Sequence, residues 1–277
     1  MPELPEVEHV VRALRRTVLS RIIVSTEIRL PKLIAPTSVS AFKLKLKGSR
    51  ILGINRRGKF ILLELTTDRV LVVHLRMTGS FLVLKPDDPL PRHAHAIFYL
   101  DDDRRLVFQD QRQFGVMRLV AKSQLTRTKG ISDLAPEPLS EDFSVAYLAA
   151  TLARSRRTLK TLLLDQTRIL GLGNIYAAEA LFRSGINPFK VASQLSSARV
   201  KRLHQAIQDV LQEAVEGIST AQLNLENPNG FSYGEAFERI WQVYEREGEA
   251  CFRCGARIRR LAHAGRSTYW CPRCQRM

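Results

Sequence analysis

The chain begins Met1-Pro2-Glu3-Leu4-Pro5-Glu6-Val7-Glu8, a run whose residue types suit nucleophilic and acid–base chemistry. Removal of Met1, expected before a residue as small as Pro2, leaves a secondary amine as the free N-terminus. An α-amino group titrates at about 7.7–8.0 against roughly 10.4 for lysine, so a sizeable neutral fraction is ready to attack an aldehydic carbon near neutral pH. Lysine needs a special pocket to do the same. A secondary amine that adds to such a carbon and loses water becomes a cationic iminium, which drains electrons from the neighbouring C–H bond. Glu3 and Glu6 are the nearby groups that can move protons. The same run also reads as a capped helix, with Pro5 at the first helical position and Glu6 and Glu8 complementing the helix dipole. Val7, Val10, Val11, Leu14 and Val18 follow one apolar helical face, with Arg12, Arg15 and Arg16 off it. Local evidence favours the helix; catalysis needs partners from elsewhere in the chain.

The four cysteines fall at Cys251, Cys254, Cys271 and Cys274, two C-x2-C pairs with 16 residues between them. This spacing fits one tetrahedral four-thiolate Zn2+ closing a small hairpin, a structural site with no position left for water. Disulfides are the alternative, and an intracellular chain rarely forms them. Between residues 248 and 277 the segment carries Arg253, Arg257, Arg259, Arg260, Arg266, Arg273 and Arg276 against Glu249 alone, a basic hairpin suited to phosphate. The whole chain has 43 Lys and Arg against 27 Asp and Glu, a net charge of +16. That imbalance points to a polyanionic partner, nucleic acid ahead of an anionic membrane surface. The N-terminal segment lacks the apolar core of a secretory signal, and no apolar run approaches the roughly 20 residues that span a bilayer. A cytoplasmic protein with no membrane partner is expected.

From about Arg21 to Val120 the chain reads as short strands: Ile22-Ile28, Ala41-Leu46, Ile51-Ile54, Phe60-Leu65, Val70-Leu75, Phe81-Leu84, His95-Leu100, Leu106-Phe108 and Val116-Val120. Many short strands at close spacing favour an antiparallel sandwich. A polar, proline-bearing stretch from Lys122 to Pro138 is a linker candidate. After it the period becomes helical. Leu159-Leu164 and Asn174-Arg183 predict short helices joined through Gly171-Leu172-Gly173, and Val200 to Val215 predict a long one ended by Gly217. A glycine turn between two short helices is a natural phosphate clamp, because the N–H groups opening the second helix point outward. A nucleotide-cradling loop is the competing reading, but no strand and no Gly-Lys-Ser/Thr accompany it.

Taken in order, Pro-Glu-Leu-Pro-Glu-Val-Glu, the sandwich, Leu162-Leu163-Leu164-Asp165-Gln166 leading into Gly171-Leu172-Gly173-Asn174-Ile175-Tyr176-Ala177, and the four-cysteine finger resemble the formamidopyrimidine-DNA glycosylase family across essentially the whole chain. The resemblance implies an α+β fold: an N-terminal antiparallel β-sandwich with flanking helices, then a helical domain with a helix-two-turn-helix and a zinc-finger β-hairpin. It implies domains at 1–130, 141–247 and 248–277, a linker at 131–140, and a lesion-covering loop at about 217–234. In that family the N-terminal proline attacks C1′ of a damaged nucleotide, expels the base and holds the opened deoxyribose as an iminium. β- and then δ-elimination cut the strand. Carried over by motif, Pro2 is the nucleophile, Glu3 the proton-transfer carboxylate, Glu6 a supporting acid and Lys59 the lysine near the lesion.

The base must first leave the stack, because C1′ is inaccessible inside an intact duplex. The resemblance therefore assigns a clamp and a wedge. His74, Arg76, Lys160, Asn174 and Arg266 match DNA-gripping positions; without the motif, His74 reads as a satisfied strand-end residue and Arg76 as a solvated charge. Met77, Arg112 and Phe114 match the wedge, where apolar side chains fill the gap between base steps. By ordinary burial habits Phe114 would be core and Arg112 surface. The expected partner is duplex DNA with oxidised bases or abasic sites, bound by a monomer.

The chain departs from the family pattern in three places. Asp110-Gln111-Arg112-Gln113-Phe114-Gly115 replaces the usual Asp-Pro-Arg-Arg-Phe-Gly, losing a proline and one charge. Val243-Tyr244-Glu245-Arg246 replaces Val-Tyr-Gly-Arg. The stretch from Ile218 to Tyr233 reads unlike the common loop, and Gly217, Gly230 and Gly234 are its candidate hinges. Three functions follow: a bifunctional glycosylase/lyase for oxidised purines, the endonuclease VIII-like variant for oxidised pyrimidines, and a non-enzymatic damaged-DNA-binding zinc protein. Pro2 and Glu3 argue against the last, and Met77, Arg112 and Phe114 against the second.

Overall fold

The alternating apolar residues after position 20 fold as strands, and in the computed structural model they build the first of two units. The structure describes residues 1–217, 223–226 and 241–276. One unit comprises Met1–Ser132 with Ile218–Glu238, the other Asp133–Gly217 with Arg239–Met277. The hinge glycines Gly230 and Gly234, and all of the expected loop except Gly217 and 223–226, lie outside the described residues.

In the first unit β1 (Ile22–Ile28), β2 (Ser49–Arg57), β3 (Phe60–Leu65), β4 (Arg69–His74), β5 (Gly79–Leu84), β6 (Ala94–Leu100), β7 (Arg105–Asp110) and β8 (Val116–Ala121) run in the order β5-β7-β6-β1-β2-β3-β4-β8. All pairings are antiparallel, and β1 meets β2 only through Ile22↔Arg50 and Ile23↔Ser49. The two halves of this sheet thus act as the layers of a sandwich, sending Phe81, Phe98 and Phe108 from one side and Ile61, Leu63 and Val73 from the other into one core. Helix α1 (Leu4–Val18) buries Val7, Val10, Val11, Leu14 and Val18 in the same core. Each such side chain contributes roughly 1.5–3 kcal/mol on burial, so the helix carrying the N-terminus is fixed to the sheets. Pro5 sits at its second position, one later than expected.

The expected strand Ala41-Leu46 is a helix, α2 (Val39–Leu46). Phe42, Leu44 and Leu46 alternate as a strand would, but Ser38 Oγ accepts from the Ala41 amide and starts a helical turn. Phe42 and Leu46, four apart, are then buried together, while Leu44 is left 77% exposed. Part of the expected linker is also packed: Lys122–Arg127 forms a 3-10 turn, and Ile131 is buried against Leu62, Val70 and Val72. At the far end of the chain order, Leu225 enters the sandwich core and its carbonyl accepts from the Val83 amide at 2.8 Å.

The second unit contains α3 (Val145–Ala153), α4 (Leu159–Leu163), α5 (Asn174–Arg183), α6 (Ser197–Gly217) and a hairpin of β9 (Arg259–His263) with β10 (Arg266–Trp270). No helix among the described residues is long and apolar enough to cross a membrane. Between α6 and the hairpin, the buried Glu179 of α5 collects the amides of Gln242, Val243 and Tyr244 at 2.9–3.0 Å. Arg246 donates to the Gln242 and Ala250 carbonyls and stacks on Phe252 at 3.5 Å. Glu245 lies between these anchors with φ +59, a left-handed conformation that costs a non-glycine residue about 1–3 kcal/mol. Glycine relieves that strain but loses more chain entropy on folding. Glu245→Gly is therefore expected to stabilise the second unit by roughly 0.5–1 kcal/mol, seen as a higher urea midpoint at unchanged slope.

Candidate functional site

The nucleophile candidate is held by the helix it precedes. Pro2 is buried behind an exposed Met1, and Glu3 and Glu6 are also buried. Glu6 Oε2 accepts from the Glu3 amide at 2.7 Å, closing a capping box at the start of α1. The capped helix and the reactive terminus are thus one arrangement, since the same bond that starts the helix fixes the peptide following Pro2. Glu8, one turn on, accepts from Arg12 at 3.1 Å and from Arg56 at 3.0 Å. Arg56 also donates to the Gly58 carbonyl at 2.9 Å, which ties the β2–β3 turn to α1. Gly58 has φ +56, and the next residue, Lys59, is 95% buried, at 5% exposure.

His74 ends β4 with little exposure, and its Nδ1 accepts from the Arg76 amide at 2.9 Å. The Nε2 atom therefore carries the proton in the neutral ring. Burial first, then the positive charges of Arg76 and Lys59, push its pKa down to about 3. His74 is consequently a neutral donor at physiological pH. It lines a small cavity of about 170 Å³ with Phe60, Val72, Arg76, Val116, Arg118, Thr128, Lys129 and Gly130.

Arg76 is exposed at φ +58, and Met77 beside it is 39% exposed. On the neighbouring strand, the loop after β7 exposes Arg112 and Phe114, with the Arg112 guanidinium 5.0 Å from the Phe114 ring centroid. Phe114 is 52% exposed. Its place at the surface runs against ordinary burial habits. Both loops converge on Asp110, which sequence reasoning did not single out; its partners on β5 and in the loop are distant in sequence or backbone amides, and neither leaves a motif.

In the second unit, Gln166 fixes the glycine turn between α4 and α5. Its Nε2 donates to the Leu164 and Leu172 carbonyls, and its Oε1 accepts from the Gly171 amide at 2.9 Å. Gly171 takes φ +82, and Asn174 opens α5 with a buried Oδ1 lacking a hydrogen-bond partner. The hairpin turns through Ala264 (φ +48) and Gly265 (φ +74) and presents an exposed Arg266 at the start of β10. Two positive-φ residues are what a two-residue hairpin turn requires.

Lys160 is enclosed within the second unit. It is 1% exposed, and its Nζ donates to the Ser267 carbonyl at 2.5 Å and to Thr268 Oγ1 at 2.8 Å. It joins α4 to β10, and Thr158 Oγ1 with His263 Nε2 at 2.9 Å makes a second link between helix and hairpin. Lys160 thus braces the strand that carries Arg266.

The Sγ atoms of Cys251, Cys254, Cys271 and Cys274 lie within 4.8 Å of one another. Tetrahedral thiolates at about 2.3 Å from zinc are about 3.8 Å apart, and the Cys251–Cys274 and Cys254–Cys271 separations are 3.9 and 3.4 Å. The donor set fits one structural Zn2+ and fills its coordination.

The sandwich entered by a capped Pro-Glu helix, the glycine-turn helix pair and the thiolate-closed hairpin follow one another along the chain. Family matches follow the same division: formamidopyrimidine-DNA glycosylase N-terminal domain over residues 1–117, its H2TH domain over 134–224, and the zinc finger found in FPG and IleRS over 248–276. Formamidopyrimidine-DNA glycosylases of Pelotomaculum thermopropionicum and Heliobacterium modesticaldum are 44% and 43% identical, with full coverage of both chains. Lactococcus lactis Fpg complexed with abasic-site DNA is similar at TM-score 0.89 and 34% identity, covering 99% of this chain and 100% of that one. MutM in complex with carbocyclic 8-oxo-G DNA is similar at TM-score 0.88 and 36% identity, with full coverage of both. The chain belongs to the formamidopyrimidine-DNA glycosylase family.

Charge distinguishes Arg266 from His74 as expected phosphate contacts. Arg266→Ala is expected to weaken binding to damaged and undamaged duplex alike and to make the salt slope shallower by about one unit. His74→Ala should weaken binding with the slope unchanged, because the lost donor is neutral. Titration gives a second check: the His74 ring should stay neutral from pH 8 to pH 5 in NMR. The native state then binds fewer protons than the unfolded one between about 6.5 and about 3, so His74 lowers stability as pH falls through that window. Metal removal, or Cys271→Ser, should unfold the terminal module alone, abolishing DNA binding while most of the circular dichroism persists.

Proposed function

We propose that Pro2, freed by loss of Met1, is the nucleophile with which this chain excises oxidised purines, 8-oxoguanine and formamidopyrimidines, from duplex DNA. The family relation makes the chain a base-excision-repair glycosylase with AP lyase activity. The observation that carries the assignment of Pro2 is the capping box: it fixes the start of a buried helix through the amide of the peptide that follows Pro2, with the buried Glu3 and Glu6 as its carboxylates.

In this reading the proline nitrogen attacks C1′, the C1′–N bond breaks, and the base leaves with a proton managed by Glu3. Ring opening gives an iminium between Pro2 and C1′. The acidified C2′ proton is lost and the C3′–O bond breaks in β-elimination; δ-elimination then breaks the C5′–O bond. Glu6 keeps the Glu3 peptide in register, and Lys59, buried beside the same elements, supplies positive charge near the lesion. Met77 and Phe114 fill the vacated stack while Arg112 meets the orphaned base. His74, Arg76, Asn174 and Arg266 hold phosphates. The protein works as a cytoplasmic monomer on an asymmetric target, and the DNA complexes of its relatives support this partner.

Glu3→Gln should separate the two steps. Base release from an 8-oxoguanine duplex is expected to fall by about a hundredfold or more, the worth of a general acid, while cleavage at a preformed abasic site falls much less. Equal losses on both substrates contradict the assignment. Pro2→Gly should lose nicking on both substrates yet still bind an abasic-site analogue.

A further inference from the structure

The two wedge loops leave the sheet at one place. Gly79, which starts β5, pairs with Asp110, which ends β7. The Met77 turn therefore enters, and the Arg112–Phe114 loop departs, at the same end of one strand pair. Each loop contains a non-glycine residue in the left-handed region, Arg76 at φ +58 and Gln113 at φ +56. Strain of this kind persists only where the surroundings hold it, and Gln111 stands where the family's proline would stiffen the second loop.

The Asp110 carboxylate, on a residue 1% exposed, is what holds it. Thr78 Oγ1 donates to Asp110 Oδ1 in a short hydrogen bond and also accepts from the Arg112 amide at 3.0 Å. The Arg112 amide reaches Asp110 Oδ1 itself at 3.3 Å, and the Gly115 amide donates to Oδ2 at 2.7 Å. The backbone is anchored too: the Asp110 amide donates to the His93 carbonyl, and the Asp110 carbonyl accepts from Gln113 N and lies 2.9 Å from His95 Nε2. Thr78 thus connects the residue after Met77 with the backbone of Arg112, through a hydroxyl used as donor and acceptor at once. The loops are close-packed as well, since a Cβ on Gly115 would lie 2.6 Å from the Phe108 ring and one on Gly79 2.4 Å from the Leu75 carbonyl oxygen.

We infer that Thr78 and Asp110 are positioning residues that lock Met77 and the Arg112–Phe114 loop into a single wedge, so that both sides of the gap are filled in one movement. The inference rests on the wedge reading of Met77, Arg112 and Phe114. Neither Thr78 nor Asp110 touches the reacting atoms; they act on the rate at which a base is extruded.

Thr78→Val keeps the shape and removes both roles of the hydroxyl, whereas Thr78→Ser keeps both. The readout is stopped-flow fluorescence of 2-aminopurine placed beside 8-oxoguanine, with cleavage at a preformed abasic site and thermal melting in parallel. Thr78→Val should slow extrusion about fivefold or more, the scale of one lost buried hydrogen bond, with abasic-site cleavage within about twofold, and Thr78→Ser should restore the rate. In a Met77→Ala background, Thr78→Val should add little, because coupled residues are not additive. Thr78→Ala, which cannot clash, should repeat the result if the valine variant melts early. Wild-type extrusion in Thr78→Val and Thr78→Ala, or independent multiplication of the two losses, overturns the inference. If Met77→Ala and Phe114→Ala themselves extrude the base at the wild-type rate, the wedge reading fails and this inference with it; if they are slow and the Thr78 variants are not, only the coupling fails.

Discussion

A chain terminus frays unless it is tied down, and a terminal amine is useful as a nucleophile only where it is held. The bond from the Glu3 amide to the Glu6 carboxylate meets that constraint. Everything else in the first unit supports it. The apolar face of α1 is buried in the sandwich core, and Glu8, Arg56 and the Gly58 carbonyl connect the helix to the turn that carries Lys59. An N-terminal helix in isolation would need no partner beyond water for its first amides; here a carboxylate buried with the proline serves them, which places acid groups where an amine nucleophile requires them.

The proposed attack at C1′ adds a second constraint, because the base must be out of the stack before the amine can reach the sugar. Strained loops at the start of β5 and the end of β7 expose an apolar side chain each, and a buried carboxylate binds the loops together. In the second unit the same economy appears in Lys160, whose charge is spent inside the protein to fasten the strand of Arg266. Positive side chains therefore differ in burial, Arg76 and Arg266 being exposed and Lys59 and Lys160 buried, and residue type alone does not separate them.

That division marks what the sequence reveals. Strands with simple alternation, the glycine-turn helix pair and the four-thiolate site are legible because period and spacing are local properties. Ala41-Leu46 misleads because Phe42, Leu44 and Leu46 satisfy two periods, and the deciding group is the Ser38 hydroxyl. The enclosure of Lys160 is not legible because its partners lie more than a hundred residues away. Thr78 and Asp110 leave no pattern at all, being 32 positions apart and joined only by the pairing of β5 with β7. Glu245 shows the reverse case: the missing family glycine is visible in the sequence, and the φ value explains why glycine belongs there.

The central claim is that the covalent chemistry belongs to the proline nitrogen and not to the buried lysine. Borohydride reduction during turnover of an 8-oxoguanine duplex, followed by proteolysis and mass spectrometry of the cross-linked peptide, tests it most directly. The reduced sugar remnant is expected on the peptide beginning at Pro2, with Met1 absent. A remnant on Lys59, or an active protein that retains Met1, would contradict it.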